Sequence, residues 1–359
     1  MKKHIKLCSL LLLAASCAAG CGKKDSIPEA ENSSASPEST DFDSLMKKGI
    51  NSIAQRETGT AIEATTKALE LHPESAEAHL LAAQAAYRGE DFKSAREYFS
   101  VIAKEASLPS ALRAKAYAGL GLVDYAQNDY DIARIEFHHA ILLDPRNEMA
   151  FYHLGKLYDE IYHFPVAARD QYRMFECLSE QARPGNARAK KVRETIVPRL
   201  KRDIDKQRVA GGGNATKAAP LVQEARLLRE KKQASAAKKK YDEARKIDPQ
   251  SYDAVRGYAE LVAETEKKTA DGPKKAIEAY MKAAFLKPGL PDNYLEAARL
   301  AREHEDTCKI KAAEIMNCAV AHHPQNKKIL DLLIASLQIV GSEKQVKGWS
   351  EYRETLKRQ

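Results

Sequence analysis

Tyr117-Ala118-Gly119-Leu120-Gly121, then Ala133-Arg134-Ile135-Glu136-Phe137-His138-His139-Ala140, then Asp144-Pro145: this stretch decides how the chain folds. Residues three and four apart lie on one face of a helix, so Tyr117, Leu120 and Gly121 share a face, as do Ala133, Phe137 and Ala140. Two antiparallel helices approach closely only where small residues sit at their crossing, the part played here by Gly121 and Ala133. A large residue four positions on, Phe137, fills the groove toward the next hairpin. Pro145 ends the second helix, because its ring cannot continue the hydrogen-bonded ladder.

The same offsets recur outward in both directions. Leu45 and Gly49 precede Ala61, Ala68 and His72-Pro73, and Ala95, Phe99 and Ile102 mark a second helix before Pro109. Leu154, Gly155 and Tyr158 open a fourth unit that closes with Ala168, Tyr172 and Phe175. After Pro220 come Ala237, Tyr241, Ala244 and Asp248-Pro249, then Ala276, Tyr280, Ala283 and Lys287-Pro288 behind an enlarged turn at 269–273. Ala312, Met316, Ala319 and His323-Pro324 follow, and 327–340 with 343–357 predict a divergent terminal hairpin. A hairpin with two apolar faces needs neighbours to cover them, so the repetition is itself a folding requirement.

This pattern resembles the tetratricopeptide repeat over nearly all of the chain that follows the N-terminal leader. It departs where Tyr117 replaces the usual Trp and where Asp124 holds an inner aromatic position. The resemblance implies an all-α solenoid of tandem helix-turn-helix hairpins, in two blocks joined by a Gly-rich linker. The expected organisation is a leader at 1–20, a disordered tether at 21–41, a first block at 42–208 with a basic capping helix, a linker at 209–219, and a second block at 220–359. The tether is polar and acidic enough that it cannot bury apolar surface to offset its ordering entropy.

The N-terminus reads as a lipoprotein leader. Lys2, Lys3 and Lys6 precede a short apolar run from Leu7 through Ala15, too short to span a bilayer. Ala18-Ala19-Gly20-Cys21 resembles a lipobox, with Ala18 in place of the usual Leu; Ala14-Ala15-Ser16-Cys17 offers a competing register. Cys21 is the expected acylated residue, since Gly precedes it and a polar segment follows. Several acyl chains anchor a protein stably. With Gly22 rather than Asp after the cysteine, the resemblance implies the periplasmic face of the outer membrane.

Composition narrows the function. The 359 residues carry 58 Lys and Arg against 50 Asp and Glu, a formal charge of +8. Removing three leader lysines leaves a mild excess on a heavily charged surface, which is not a nucleic-acid signature. The basic stretch at 184–208 reads either as a solvated outer face or as a contact for anionic lipid, and its lack of aromatics argues against single-stranded nucleic acid.

Catalytic and metal constellations are not found. The 211–217 segment lacks the GK[ST] ending of a phosphate loop, and adjacent residues such as His138-His139 or His322-His323 point ~100° apart on a helix. Cys177, Cys308 and Cys318 show no zinc spacing, and Cys308 and Cys318 are expected to share one helix. No enzyme activity, cofactor or metal is expected.

By the resemblance, the first helix of each hairpin forms an inner, concave wall. Its inward offsets give Tyr87, Arg88, Leu122, Tyr125, Tyr152, Lys156 and Asp159 as candidate partner-binding residues, against the reading that each only packs between hairpins. Met46 and Ile50 stand where a chaperone-binding carboxylate clamp would need Lys and Asn, so that clamp is not supported. The expected function is a membrane-anchored, non-enzymatic scaffold in the cell envelope that holds a protein partner or an extended peptide, serving outer-membrane assembly, pilus biogenesis or secretion. A cell-wall or glycan-binding module using the same groove is the alternative.

Overall fold

The computed structural model describes residues 37–209, 213–308 and 311–358. Among them every regular element is helical. Contacts group the chain into two compact units, one ending at Leu154 and the other beginning at Gly155.

In the first unit α1 (Pro37–Gln55) pairs with α2 (Thr58–Leu71), α3 (Ala76–Arg88) with α4 (Phe92–Lys104), and α5 (Ser110–Ala126) with α6 (Tyr130–Leu143). The helix α7 (Glu148–Glu160) spans the division. In the second unit α8 (Pro165–Ala182) precedes a continuous helical stretch made of α9 (Ala187–Lys191), a π-helical turn (Val192–Ile196) and α10 (Val197–Val209). Three further hairpins follow: α11 (Ala215–Glu230) with α12 (Ala234–Ile247), α13 (Tyr252–Thr265) with α14 (Gly272–Leu286), and α15 (Pro291–Glu303) with α17 (Ala312–His322). A single turn, α16 (Glu305–Cys308), interrupts the last of these, and α18 (Lys327–Val340) with α19 (Glu343–Arg358) ends the chain.

The repeat extends to the backbone of the turns. Arg56, Glu90, Asn128, His163 and Lys232 each adopt the left-handed conformation between the first and second helix of a hairpin. Four of the five are followed by the same closing bond, as in Asp91 N–H to Ala86 C=O at 3.0 Å, Asp129 N–H to Asp124 C=O at 2.9 Å and Gln233 N–H to Leu228 C=O at 2.9 Å, while after His163 the Phe164 N–H reaches one residue further, to Tyr158 C=O at 2.7 Å. Such a bond satisfies a carbonyl that the helix end would leave orphaned. The residue types share nothing, so no sequence motif marks the position.

Packing follows the small-and-large pattern. A Cβ built on Gly119 would stand 2.4 Å from the ring of Phe99 in the preceding hairpin, and one on Gly121 would stand 2.7 Å from the Phe137 ring in its own. Two glycines on one helix thus admit aromatic rings from two neighbours. Phe99, Phe137, Tyr172, Tyr241 and Trp349 are all at most 2% exposed.

Several expectations need correction. The helix α1 starts at Pro37, so residues 37–41 of the expected tether are helical. Pro220 lies inside α11, which begins at Ala215 because the Asn214 side chain accepts from Lys217 N–H at 3.0 Å. Residues 215–219 of the expected linker are therefore helix, while 210–212 lie outside the described residues. The expected basic helix is present, but a π-helical turn sits just ahead of Pro198, which lacks the N–H for the next ladder bond. Cys308 and Cys318 lie on separate helices, α16 and α17. Cys177 is exposed and Cys318 half-buried, and neither is in a disulfide.

Candidate functional site

The seven residues expected on the inner wall are placed as follows. Leu122 is only 2% exposed and belongs to the core, which corrects its expected place on an accessible wall. Tyr87 packs half-buried against the core around Phe99 and meets Phe92 at 5.9 Å. Arg88 donates from Nη1 to the Ile53 carbonyl at 2.5 Å, tying α3 back to α1. Tyr125 contacts Tyr130 edge-on at 5.4 Å and His153 at 6.4 Å. Tyr152 stands edge-on to His153 at 5.2 Å. In the second unit Lys156 pairs with Glu160 at 3.6 Å, and Asp159 is held by Arg199 of α10. All seven therefore take part in packing or pairing within the repeat. Cys21 lies outside the described residues.

The departure at Asp124 also finds its reason. This carboxylate is 1% exposed and accepts from Arg96 Nη2 of α4 at 2.6 Å, so an ion pair replaces the aromatic contact between consecutive hairpins. Nearby, His138, His139 and His153 are buried, as is Arg134, which lies 3.6 Å from Asp131. Burial, with the charge of Arg134 and then His139, pushes the His138 pKa down to about 3, so the imidazole is neutral at ordinary pH.

The second unit contains a polar groove that the sequence offsets do not reveal. A cavity of about 750 Å³ opens along α11, α13 and the start of α15. Arg226 reaches Asp253 at 2.7 Å. Arg229 donates to Glu260 at 2.7 Å and to both oxygens of Glu264, while Arg256 donates to the other Glu260 oxygen at 2.7 Å and to Asn293 Oδ1 at 2.5 Å. Asn293, fully buried, also meets the Tyr252 hydroxyl at 3.5 Å. Burial works against charge on Arg229, but the hydrogen bonds it donates to Glu264 and Glu260 outweigh it and hold its pKa above the ordinary value. Burial likewise opposes the charge on Glu260, yet Arg229 and Arg256 lower its pKa. Both partners stay ionised, and the network is a set of fixed charges along a groove.

These groove residues were missed because a repeat motif specifies only the faces that pack. Arg229 and its Glu264 partner are 35 residues apart, and Arg256 and Asn293 are 37 apart. The available signal was the set of charged residues on the first helices of consecutive hairpins at one repeat spacing.

A smaller, mainly apolar cavity of about 180 Å³ lies among Phe164, Met281, Phe285, Tyr294, Cys318 and His322. His322 stacks on Tyr294 at 6.2 Å, and burial, against the pull of Asp170, pushes its pKa down to about 4. Among the described residues, no group of three or more His, Cys, Asp or Glu is placed to hold a metal ion, and no helix is long and apolar enough to cross a membrane.

Residues 47–109 match the tetratricopeptide repeat family model. No curated protein matches the chain in sequence. Among solved structures, a tetratricopeptide repeat protein from Parabacteroides merdae is 12% identical, with 83% of this chain and 99% of that one covered and a TM-score of 0.33. YrrB, described as a TPR protein with an unusual peptide-binding site, is 21% identical over 67% of this chain and all of its own, at a TM-score of 0.30. Pseudomonas aeruginosa pilF is 15% identical over 86% of this chain and 100% of its own, at 0.26. Likeness at this level says nothing of ligand or partner. Residues 47–109 are thus a tetratricopeptide-repeat segment, and the described helices continue it as tandem hairpins of the all-α solenoid class.

Proposed function

We propose that this protein is a lipid-anchored interaction scaffold of the bacterial cell envelope, in which the groove along α11, α13 and α15 receives an extended segment of a partner protein. The tetratricopeptide fold supports a protein-interaction scaffold. The observation that carries the reading is the groove itself, about 750 Å³ with guanidinium and carboxylate groups already fixed in position. Preformed polar groups reduce the ordering cost of binding an extended chain. The lipobox-like Ala18-Ala19-Gly20-Cys21 supports the anchor, and Gly22 supports an outer-membrane address.

A glycan platform is less favoured in this groove. Sugar-binding sites present open aromatic faces, whereas Tyr241 is 1% exposed and Tyr252 already carries Lys287 Nζ at 4.2 Å from its ring centre.

Crosslinking in intact cells, followed by purification from the membrane fraction and mass spectrometry, tests the proposal. A Cys21→Ala form is run beside it. One or two envelope proteins recovered in near-stoichiometric amount, and depleted by Cys21→Ala, are the expected result. Recovery of no specific protein with either form would refute the scaffold.

A further inference from the structure

The charge distribution of the second unit points to a basic partner: the groove along α11, α13 and α15 takes an extended segment bearing Lys and Arg side chains. This inference rests on the scaffold reading above and specifies the chemistry of its partner.

The chain as a whole is basic, at a formal charge of +8, yet the groove reverses that sign. Its lining contains five carboxylates and three guanidiniums. Each guanidinium is engaged: Arg226 by Asp253, Arg229 by Glu260 and Glu264, and Arg256 by Glu260 and Asn293. An incoming carboxylate would have to displace one of these partners. Glu230 and Asp292, by contrast, are exposed on the groove lining and give it a net negative charge.

The second helices of the same hairpins have the opposite balance. Together α12 and α14 carry eight Lys and Arg against three acidic residues, whereas α11, α13 and α15 carry six against eight. Lys239, Lys246, Lys274, Lys275 and Lys282 are exposed on those second helices. An acidic segment is therefore drawn to the second helices and a basic one to the groove. Charges beyond a Debye length of ~8 Å are screened at physiological salt, so the local groove charge decides, not the net charge of the chain.

Fluorescence anisotropy with the full chain tests this, using three labelled Gly/Ser peptides: one with spaced Lys and Arg, one with Glu at the same positions, and one uncharged. The basic peptide is expected to bind best, with affinity falling as salt rises. A Glu230→Lys, Asp292→Lys double variant should weaken it roughly tenfold or more, while Glu278→Lys on α14 leaves it unchanged. Both groove positions are exposed, and unchanged thermal melts would show the variants folded. Preferential binding of the acidic or uncharged peptide, lost in the double variant, would overturn the basic-partner inference and leave the groove as a binding site. Binding of the basic peptide that ignores the double variant, or binding of none of the three, would overturn the groove reading as well.

Discussion

Hairpin α5–α6 in the first unit and hairpin α13–α14 in the second are built on one plan and finished with different chemistry. Gly119 in α5 and Gly257 in α13 hold equivalent places, so that Tyr117 corresponds to Val255, Leu120 to Tyr258 and Leu122 to Glu260. Each glycine admits an aromatic ring from the second helix of the preceding hairpin, Phe99 of α4 in one case and Tyr241 of α12 in the other. Both first helices carry an acid that meets an arginine of the preceding hairpin, Asp124 with Arg96 of α4 and Glu260 with Arg229 of α11. In the first unit that acid is 1% exposed and the surroundings are buried histidine and aromatic side chains; in the second it is 32% exposed and borders a charged groove. The glycine-and-ring contact belongs to the fold, and what surrounds the acid is free to serve a ligand.

The largest expected difference lies in acid sensitivity. For His138 the folded pKa is depressed to about 3, so its contribution to stability is complete above the unfolded value and is lost as pH falls toward the folded one. Between about pH 7 and about pH 4 this amounts to on the order of 3 kcal/mol, because the unfolded chain takes up the proton first. Urea unfolding across that range should show a smaller loss for His138→Gln than for the parent, and equal losses would remove His138 from the account. In the second unit His322, held at about 4, should give a loss of the same sign over a narrower window, flattened by His322→Gln.

Next come the glycines. Gly119→Ala, Gly121→Ala and Gly257→Ala each bring a methyl within about 3 Å of a ring and should cost roughly 1–3 kcal/mol by calorimetry. Gly59→Ala in α2, with nothing within 4 Å, should instead stabilise by about 0.4–1 kcal/mol. If all four behaved alike, close approach would not be the reason for these glycines.

The acids should separate the two hairpins. Asp124→Asn leaves Arg96 facing a buried neutral group and should cost about 1–3 kcal/mol. Glu260→Gln, in a part-exposed network where Arg229 keeps Glu264, should cost under about 1 kcal/mol. Comparable losses would mean that the groove network is structural rather than a ligand surface. The smallest effect belongs to the shared turns: Glu90→Gly and Lys232→Gly exchange a left-handed strain of ~1 kcal/mol for added unfolded-state freedom and should both fall within about 0.5 kcal/mol of zero. A large, unequal pair of values would show that the turns differ between units after all.

The hairpins are legible in local sequence. Small residues at crossings, a large residue four positions on and a proline at each second-helix end are local signals, and Gly121, Phe137 and Pro145 suffice to place two helices against each other. Sequence alone also determined that the chain as a whole is basic. Tertiary structure decided the rest. The repeat offsets put Leu122 on the wall and it is buried, while Arg229, Arg256, Glu260 and Asn293, which no offset marks, form the groove. The physical reason is distance along the chain. A core position is defined by neighbours three or four residues away, whereas a groove charge is defined by partners 27 to 37 residues away, which only the stacking of one hairpin on the next brings within hydrogen-bond reach.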